Sequence, residues 1–209
     1  TRFFPLIKEI EEHLKDIGDV RVVSTNFSFR DEDMTSRLMD PNRAGGSLLD
    51  VGVYDLHFTK MILKKEPVSI SGVASMDTDE HHLQVDEQAA WIAQYNKGEL
   101  GLMCSAVRTD MIDTAYIYGT KGHMVIPQFW KPWQLQLTVG DRIESIEKPV
   151  PQKIPGIEDE GYQFEIAHVN QCIRDGLKES PVMTWEETAS ILKQCDMLRK
   201  QWGLKYPQD

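Results

Sequence analysis

An aspartate, a tyrosine and a histidine stand at positions 50, 54 and 57, just after a glycine pair, in Gly45-Gly46-Ser47-Leu48-Leu49-Asp50-Val51-Gly52-Val53-Tyr54. Residues four apart share a helix face, so Asp50 and Tyr54 would point into one cleft, and His57 would continue that face one turn later. A phenol can accept a proton in an oxidation, provided nearby positive charge lowers its pKa from about 10. A carboxylate beside it would push that pKa the other way, so Asp50 suits orientation of a cation or a substrate hydroxyl better than activation of Tyr54. Gly45 and Gly46 lack a Cβ and would let backbone approach a ligand closely. Leu48, Leu49, Val53, Leu56 and Phe58 make the rest of the helix apolar and predict its burial. Polar groups on a buried helix need partners, and these can be a ligand or simply neighbouring backbone.

The elements that would position these residues read as helix, strand, helix, several strands and two helices. Pro5 suits the first turn of a helix whose apolar residues Ile7, Ile10, Leu14 and Ile17 lead to Gly18. Residues 20–29 are rich in Val, Thr and Phe and predict a strand. Residues 30–44 are polar, contain Pro41, and predict a long loop that either borders a pocket or is a surface excursion. Strands follow at 67–76, 86–95 and 100–108, the last two joined by the turn Asn96-Lys97-Gly98-Glu99. Residues 114–118 and 123–127 flank Gly119-Thr120-Lys121-Gly122, a second hairpin. Trp133, Leu135, Leu137 and Val139 alternate with polar residues, and Gly140-Asp141 turns into a last strand at 142–148. Tyr162, Ile166, Val169, Ile173 and Leu177 form one apolar helical stripe. Thr184-Trp185-Glu186-Glu187 has capping-box form and opens a helix closed by Gly203. The expected class is α+β: an open, largely antiparallel sheet with helices on one face.

Composition narrows the function classes. The 209 residues suffice for one substantial core, and 41% apolar residues argue against disorder. A formal charge of −10 disfavours nucleic acid, which calls for basic patches. No apolar run approaches a membrane span of ~20 residues, and no signal peptide opens the sequence. Cys104, Cys172 and Cys195 are widely spaced and read as free thiols of a reducing, cytoplasmic compartment. His81 and His82 adjoin Asp79 and Glu80, but no third ligand stands at a suitable spacing, and no metal is expected. Asp77 to Glu80 read as a solvated turn, and His168 as a histidine packed beside the apolar stripe.

Thr1-Arg2-Phe3-Phe4-Pro5, the Gly-Gly-x-Leu-Leu-Asp-x-Gly-x-Tyr segment, Tyr118-Gly119-Thr120-Lys121-Gly122 and Tyr206-Pro207-Gln208-Asp209 occur in one order. This set, spanning the whole chain, resembles the C-terminal domain of the Gfo/Idh/MocA oxidoreductases. Within them it is most similar to the dimeric dihydrodiol dehydrogenase and NADP-dependent D-xylose dehydrogenase branch. The resemblance implies hydride transfer between nicotinamide, as NADP or NAD, and a sugar, polyol or cyclic diol. It implies that Asp50 and Tyr54 line the reaction centre as catalytic residues, with His57, Trp130 and Arg2 as substrate contacts and Gly45 and Gly46 near the cofactor. Trp130, in Phe129-Trp130-Lys131-Pro132, would wall a substrate pocket or pack in the core.

No Gly-x-Gly-x-x-Gly follows a strand, so the family's nucleotide-binding half and its Glu-Lys-Pro lysine are expected to lie outside these residues. Glu147-Lys148-Pro149 spells the same letters in the wrong chain order and reads as coincidence. Residues 1–209 are thus expected to be a single substrate-binding and dimerisation domain, inactive alone. The competing class is a non-catalytic module that binds a ligand or only dimerises. The strand at 86–95 has apolar residues on both sides, which predicts burial of the open sheet face by a homodimer or by the chain's own loops.

Overall fold

A computed structural model of the chain describes residues 1–76, 84–150 and 161–209. The expectations for His81, His82 and the turn at 77–80 lie outside the described residues. The elements are α1 (Pro5–His13), β1 (Val20–Ser28), α2 (Val53–Leu63), β2 (Ser69–Met76), β3 (Asp86–Gln94), β4 (Leu100–Ala106), β5 (Thr114–Gly119), β6 (Gly122–Pro127), β7 (Gln134–Val139), β8 (Arg142–Glu147), α3 (Tyr162–Arg174) and α4 (Trp185–Trp202). One eight-stranded sheet runs in the order β2-β3-β4-β1-β5-β6-β7-β8. Every pairing is antiparallel except β1 with β4, which is parallel. The hairpins were legible because each joins sequence neighbours. The parallel pair joins strands separated by α2, β2 and β3, and no local turn announces it.

The helices cover one face. On β3, Ala89, Trp91 and Ala93 are buried beneath them, while Ile92 on the opposite side is 52% exposed. Leu6 and Ile10 of α1, Leu56 and Phe58 of α2, and Ile117, Met124, Ile126, Leu135 and Leu137 of the sheet form the dry centre. α1 starts with Pro5 at its first turn, as expected, but ends at His13, and a run of turns carries the chain on to Gly18. Thr184 caps α4, its hydroxyl accepting from the Glu187 N–H at 3.1 Å, and Gly203 closes it in the left-handed conformation. The α3 stripe stays largely outside the core: Tyr162, Ile166, Val169, Ile173 and Leu177 are all exposed. α3 instead docks on the N-terminal segment through Phe164 against Phe4 and His168 against Phe3.

α2 is the central helix, with residues on every side buried, and its entry differs from a plain α-helix. Leu48–Gly52 forms a π turn that merges into α2. The start of this turn is fixed by Asp86 at the head of β3, whose Oδ2 accepts from the Leu48 N–H at 2.6 Å and the Ser47 hydroxyl at 3.0 Å. Ser47 Oγ also lies 2.9 Å from Ser105 Oγ on β4. Glycine is required at 46, where φ is +106° and a Cβ would lie 2.1 Å from Asp86 Oδ1. At Gly52 a Cβ would meet the Trp91 ring at 2.9 Å, so its absence lets the π turn settle onto the sheet. Gly46→Ala should therefore destabilise the fold by about 2–3 kcal/mol or more, combining a strained φ with displacement of a buried carboxylate. Chemical denaturation should show a lower midpoint, whereas Gly98→Ala, at a turn with open space around it, should lose only the strain of its positive φ.

Candidate functional site

The residues singled out in the sequence separate into three neighbourhoods around α2. Tyr54 is 38% exposed at the first turn of the helix and packs edge-on against Phe27 of β1, ring centres 5.2 Å apart. Trp130 stacks on the same Phe27 ring, centres 4.2 Å apart. The two residues line one cavity of about 90 Å³ with Thr1, Phe4, Tyr162 and Glu165. Thr1 closes one edge, its hydroxyl donating to the Trp130 carbonyl at 2.9 Å. Tyr54 and Trp130 thus share Phe27 and one cavity, and Trp130 both packs and lines it.

Asp50 is close enough to Tyr54 to act on it electrostatically, but its direct partner is Arg37. Arg37 sits on a short 3₁₀ turn, Arg37–Met39, inside the segment read as a polar loop. That segment therefore reaches Asp50 beside the site, while most of it stays at the surface. The Tyr54 phenol is held above its ordinary pKa, first by burial and then by Tyr162, Asp50 and Glu165. This is opposite to what a proton acceptor needs, and positive charge from a ligand or a partner would have to reverse it.

His57 and Arg2 form the second neighbourhood. Arg2 forms an ion pair with Glu187 of α4, and Lys60 of α2 reaches the same carboxylate at 3.5 Å. Lys60, itself buried, also pairs with Glu66 and Ser190. His57 lies beside this network, and burial first, then Arg2, pushes its pKa down to about 4. Arg2 thus ties the N-terminal segment to α4, and neither it nor His57 lines the Tyr54 cavity.

Gly45 and Gly46 make the third neighbourhood and depart most from expectation. Both are buried. A Cβ on Gly45 would lie 2.4 Å from the Leu38 carbonyl oxygen, and the Gly45 carbonyl accepts the Tyr206 hydroxyl at 2.6 Å. Their open sides are filled by the chain itself, so the structure accounts for both glycines without a ligand. The same packing gives no cradle for a cofactor phosphate there.

Four residues that sequence reasoning passed over matter here. Arg37, Tyr162 and Glu165 reach the Tyr54 neighbourhood from distant segments, with no local signal. Asp55, next to Tyr54, is fully buried with neither carboxyl oxygen hydrogen-bonded, and burial raises its pKa well above the carboxylate range. The Thr25 hydroxyl of β1 acts against that rise. An acidic residue in an apolar run, Val53-Tyr54-Asp55-Leu56, was the available hint. Among the described residues no group of three His, Cys, Asp or Glu side chains is arranged to hold a metal.

The titrations of Asp86 and His57 oppose each other. Burial raises Asp86 from 3.8 to about 6 despite its bonds to Leu48 and Ser47. Between those values the folded chain holds the proton that the unfolded chain has lost, so stability falls as pH rises from 3.8 to about 6. His57 protonates in the unfolded chain near 6.5 but in the folded chain only near 4, so its contribution rises with pH across that window. Each effect is worth up to about 3 kcal/mol. Asp86→Asn should leave a chain that grows more stable from pH 4 to 6.5. His57→Gln should leave one that grows less stable over the same range. Urea midpoints across that range measure both, and equal slopes in the two variants would refute the assignment.

Residues 10–125 match the sequence profile of the GFO/IDH/MocA C-terminal domain. The mouse trans-1,2-dihydrobenzene-1,2-diol dehydrogenase is 34% identical over all of this chain and 62% of its own length, and the human enzyme is 31% identical with the same coverage. The chain thus spans about 62% of the length of these curated relatives. Aldose-aldose oxidoreductase from Caulobacter crescentus superposes with a TM-score of 0.78 at 22% identity, over 96% of this chain and 59% of that one. KijD10, a 3-ketoreductase from Actinomadura kijaniata crystallised with NADP, superposes with a TM-score of 0.75 at 16% identity, over 96% and 60% respectively. With a profile matched across more than half its length and relatives above 30% identity across all of it, this chain belongs to the Gfo/Idh/MocA family as its C-terminal domain.

Proposed function

We propose that this chain is the substrate-binding half of an NAD(P)-dependent dehydrogenase acting on a sugar, polyol or cyclic diol, with Tyr54 as its proton acceptor. The observation that carries the reading is that Tyr54 lines one cavity with Trp130 and Tyr162, within electrostatic reach of Asp50. An aromatic wall with a few polar groups suits a ring bearing hydroxyls: the faces pack on Trp130 and Tyr162 while a hydroxyl meets the phenol. A bound nicotinamide would supply the hydride acceptor, and its positive ring is the kind of charge that lowers a phenol's pKa. The cofactor's phosphates are held elsewhere, since Gly45 and Gly46 are closed by Asp86 and Leu38. Asp50, fixed by Arg37, orients rather than activates.

The substrate class follows the relatives, whose names describe diol and aldose oxidoreductases. A purely ligand-binding or dimerising module stands as the second reading. It is favoured by one observation, the raised pKa of Tyr54 in the chain alone. Tyr54→Phe separates the two. It keeps the ring against Phe27 and deletes the ionisable oxygen. In the enzyme with its nucleotide-binding domain, kcat should fall by roughly 10²–10⁴-fold with little change in KM. Unchanged turnover would remove Tyr54 from the chemistry.

The open sheet face also belongs to this reading, as the contact of a homodimer. Ile92 and Leu102 stand opposite each other across β3 and β4, with Val73 and Ile112 beside them, and all four are exposed. Together with Tyr116 they line a broad hollow of about 770 Å³ on the side without helices. Contiguous apolar surface of this kind favours pairing with a like surface. No helix among the described residues is long and apolar enough to cross a membrane. Light scattering should give twice the chain mass for the parent and a single chain mass for Ile92→Asp, whose charge would be buried in the contact. A parent that stays monomeric across a wide concentration range would refute the dimer.

A further inference from the structure

Outside the Tyr54 cavity, one cluster holds a nucleophile against a base. His168 and Cys172 lie four residues apart on α3, with Cys172 Sγ 3.3 Å from His168 Nε2. Ser180, in the turn between α3 and α4, reaches the same nitrogen at 2.7 Å. The Ser180 oxygen already accepts the backbone N–H groups of Val182 at 3.1 Å and Met183 at 3.0 Å. Its own proton is therefore the one shared with His168. Nε2 then carries the lone pair and Nδ1 the hydrogen, so the basic nitrogen faces the thiol.

The other two cysteines are placed differently. Cys195 is sealed in the core at 1% exposure, and burial pushes its thiol up to about 12. Cys104 is the most open of the three and lies on the open sheet face, its sulfur 3.9 Å from that of Met111, with its thiol also raised by burial. Exposure alone would make Cys104 the first to react. Cys172 is 8% exposed, on the buried side of α3, whose outer face is open.

We propose that Cys172 is a reactive thiol, activated by His168, that takes reversible mixed disulfides from small disulfides of the glutathione type. In this step the Cys172 S–H proton moves to His168 Nε2, and the thiolate sulfur attacks one sulfur of the disulfide. The old S–S bond breaks as the new one forms, and the departing thiolate takes the proton from the imidazolium. The incoming disulfide is the oxidant, so electrons balance without another reagent. Modification would also reach the Tyr54 cavity. The Phe3 ring stacks on His168 at 4.4 Å and lines that cavity, so an adduct that displaces the imidazole displaces a cavity wall. This consequence rests on the Tyr54 reading; the thiol chemistry does not.

The test is incubation of the native chain with oxidised glutathione, followed by peptide mass mapping of each cysteine over time. Cys172 should acquire the adduct about tenfold faster than Cys104, both in the native chain and in Ile92→Asp, whose open sheet face leaves Cys104 uncovered. His168→Phe keeps the stack on Phe3 but removes the base, and should slow Cys172 by a similar factor. Labelling led by Cys104 or Cys195, or a His168→Phe chain labelled at Cys172 as fast as the parent, would overturn the proposal. If His168→Phe fails to fold, Ser180→Ala decides. Deleting the competing donor to Nε2 should speed labelling of Cys172, and an unchanged or slower rate would overturn the proposal.

Discussion

Everything at the candidate site depends on one buried carboxylate. Asp86 lies inside the sheet-helix interface, where an unpaired charge would be strongly disfavoured, and it stays there because the Leu48 N–H and the Ser47 hydroxyl face it. The first N–H groups of a helix have no partner within the helix, and a carboxylate at that end satisfies both hydrogen bonding and the helix dipole. The contact joins the head of β3 to the start of the helix that carries Asp50, Tyr54 and His57. It also dictates the glycine at 46, because the backbone can approach Asp86 there only where no Cβ intervenes.

The π turn follows from the same constraint. Ser47 is held by Asp86 and Ser105, and Gly52 rests against Trp91, so the four residues between them must fit between two fixed points. Wider turns of this kind recur at functional sites, since they re-aim side chains relative to a regular helix. Here the turn brings Asp50 to Arg37 while Tyr54, at the start of regular α2, faces Trp130. A shared helical face in the sequence thus becomes two adjacent environments. The phenol ends up in surroundings that disfavour its ionised form. Such a group gains reactivity only when positive charge arrives, which makes its chemistry conditional on what binds.

The two remaining apolar surfaces have a common physical origin. A single sheet covered on one side leaves its other side to solvent or to a partner, and β3 carries apolar residues on both sides. α3 is amphipathic but docks through Phe164 and His168 against the N-terminal segment, which leaves its Ile166, Val169 and Ile173 facing out. An amphipathic stripe tells that a surface will be covered, and not what covers it.

Much of the architecture was legible in the residues. Turn chemistry at Asn96-Lys97-Gly98-Glu99 and Gly119-Thr120-Lys121-Gly122 gave the hairpins, the capping box at Thr184 opened α4, and alternation marked the half-buried strands. These signals act between near neighbours, where backbone preference and side-chain period suffice. The roles expected of Tyr54 and Trp130 came through family likeness, not through spacing. The parallel contact of β1 with β4, the Asp50–Arg37 ion pair, the withdrawal of His57 and Arg2 into a network with Glu187, and the closing of Gly45 and Gly46 by Leu38 and Asp86 were decided by the tertiary structure alone. Most of these join residues far apart in the chain, and the rest depend on the path of the irregular segment before α2. No local pattern encodes which distant charge a buried polar group will meet.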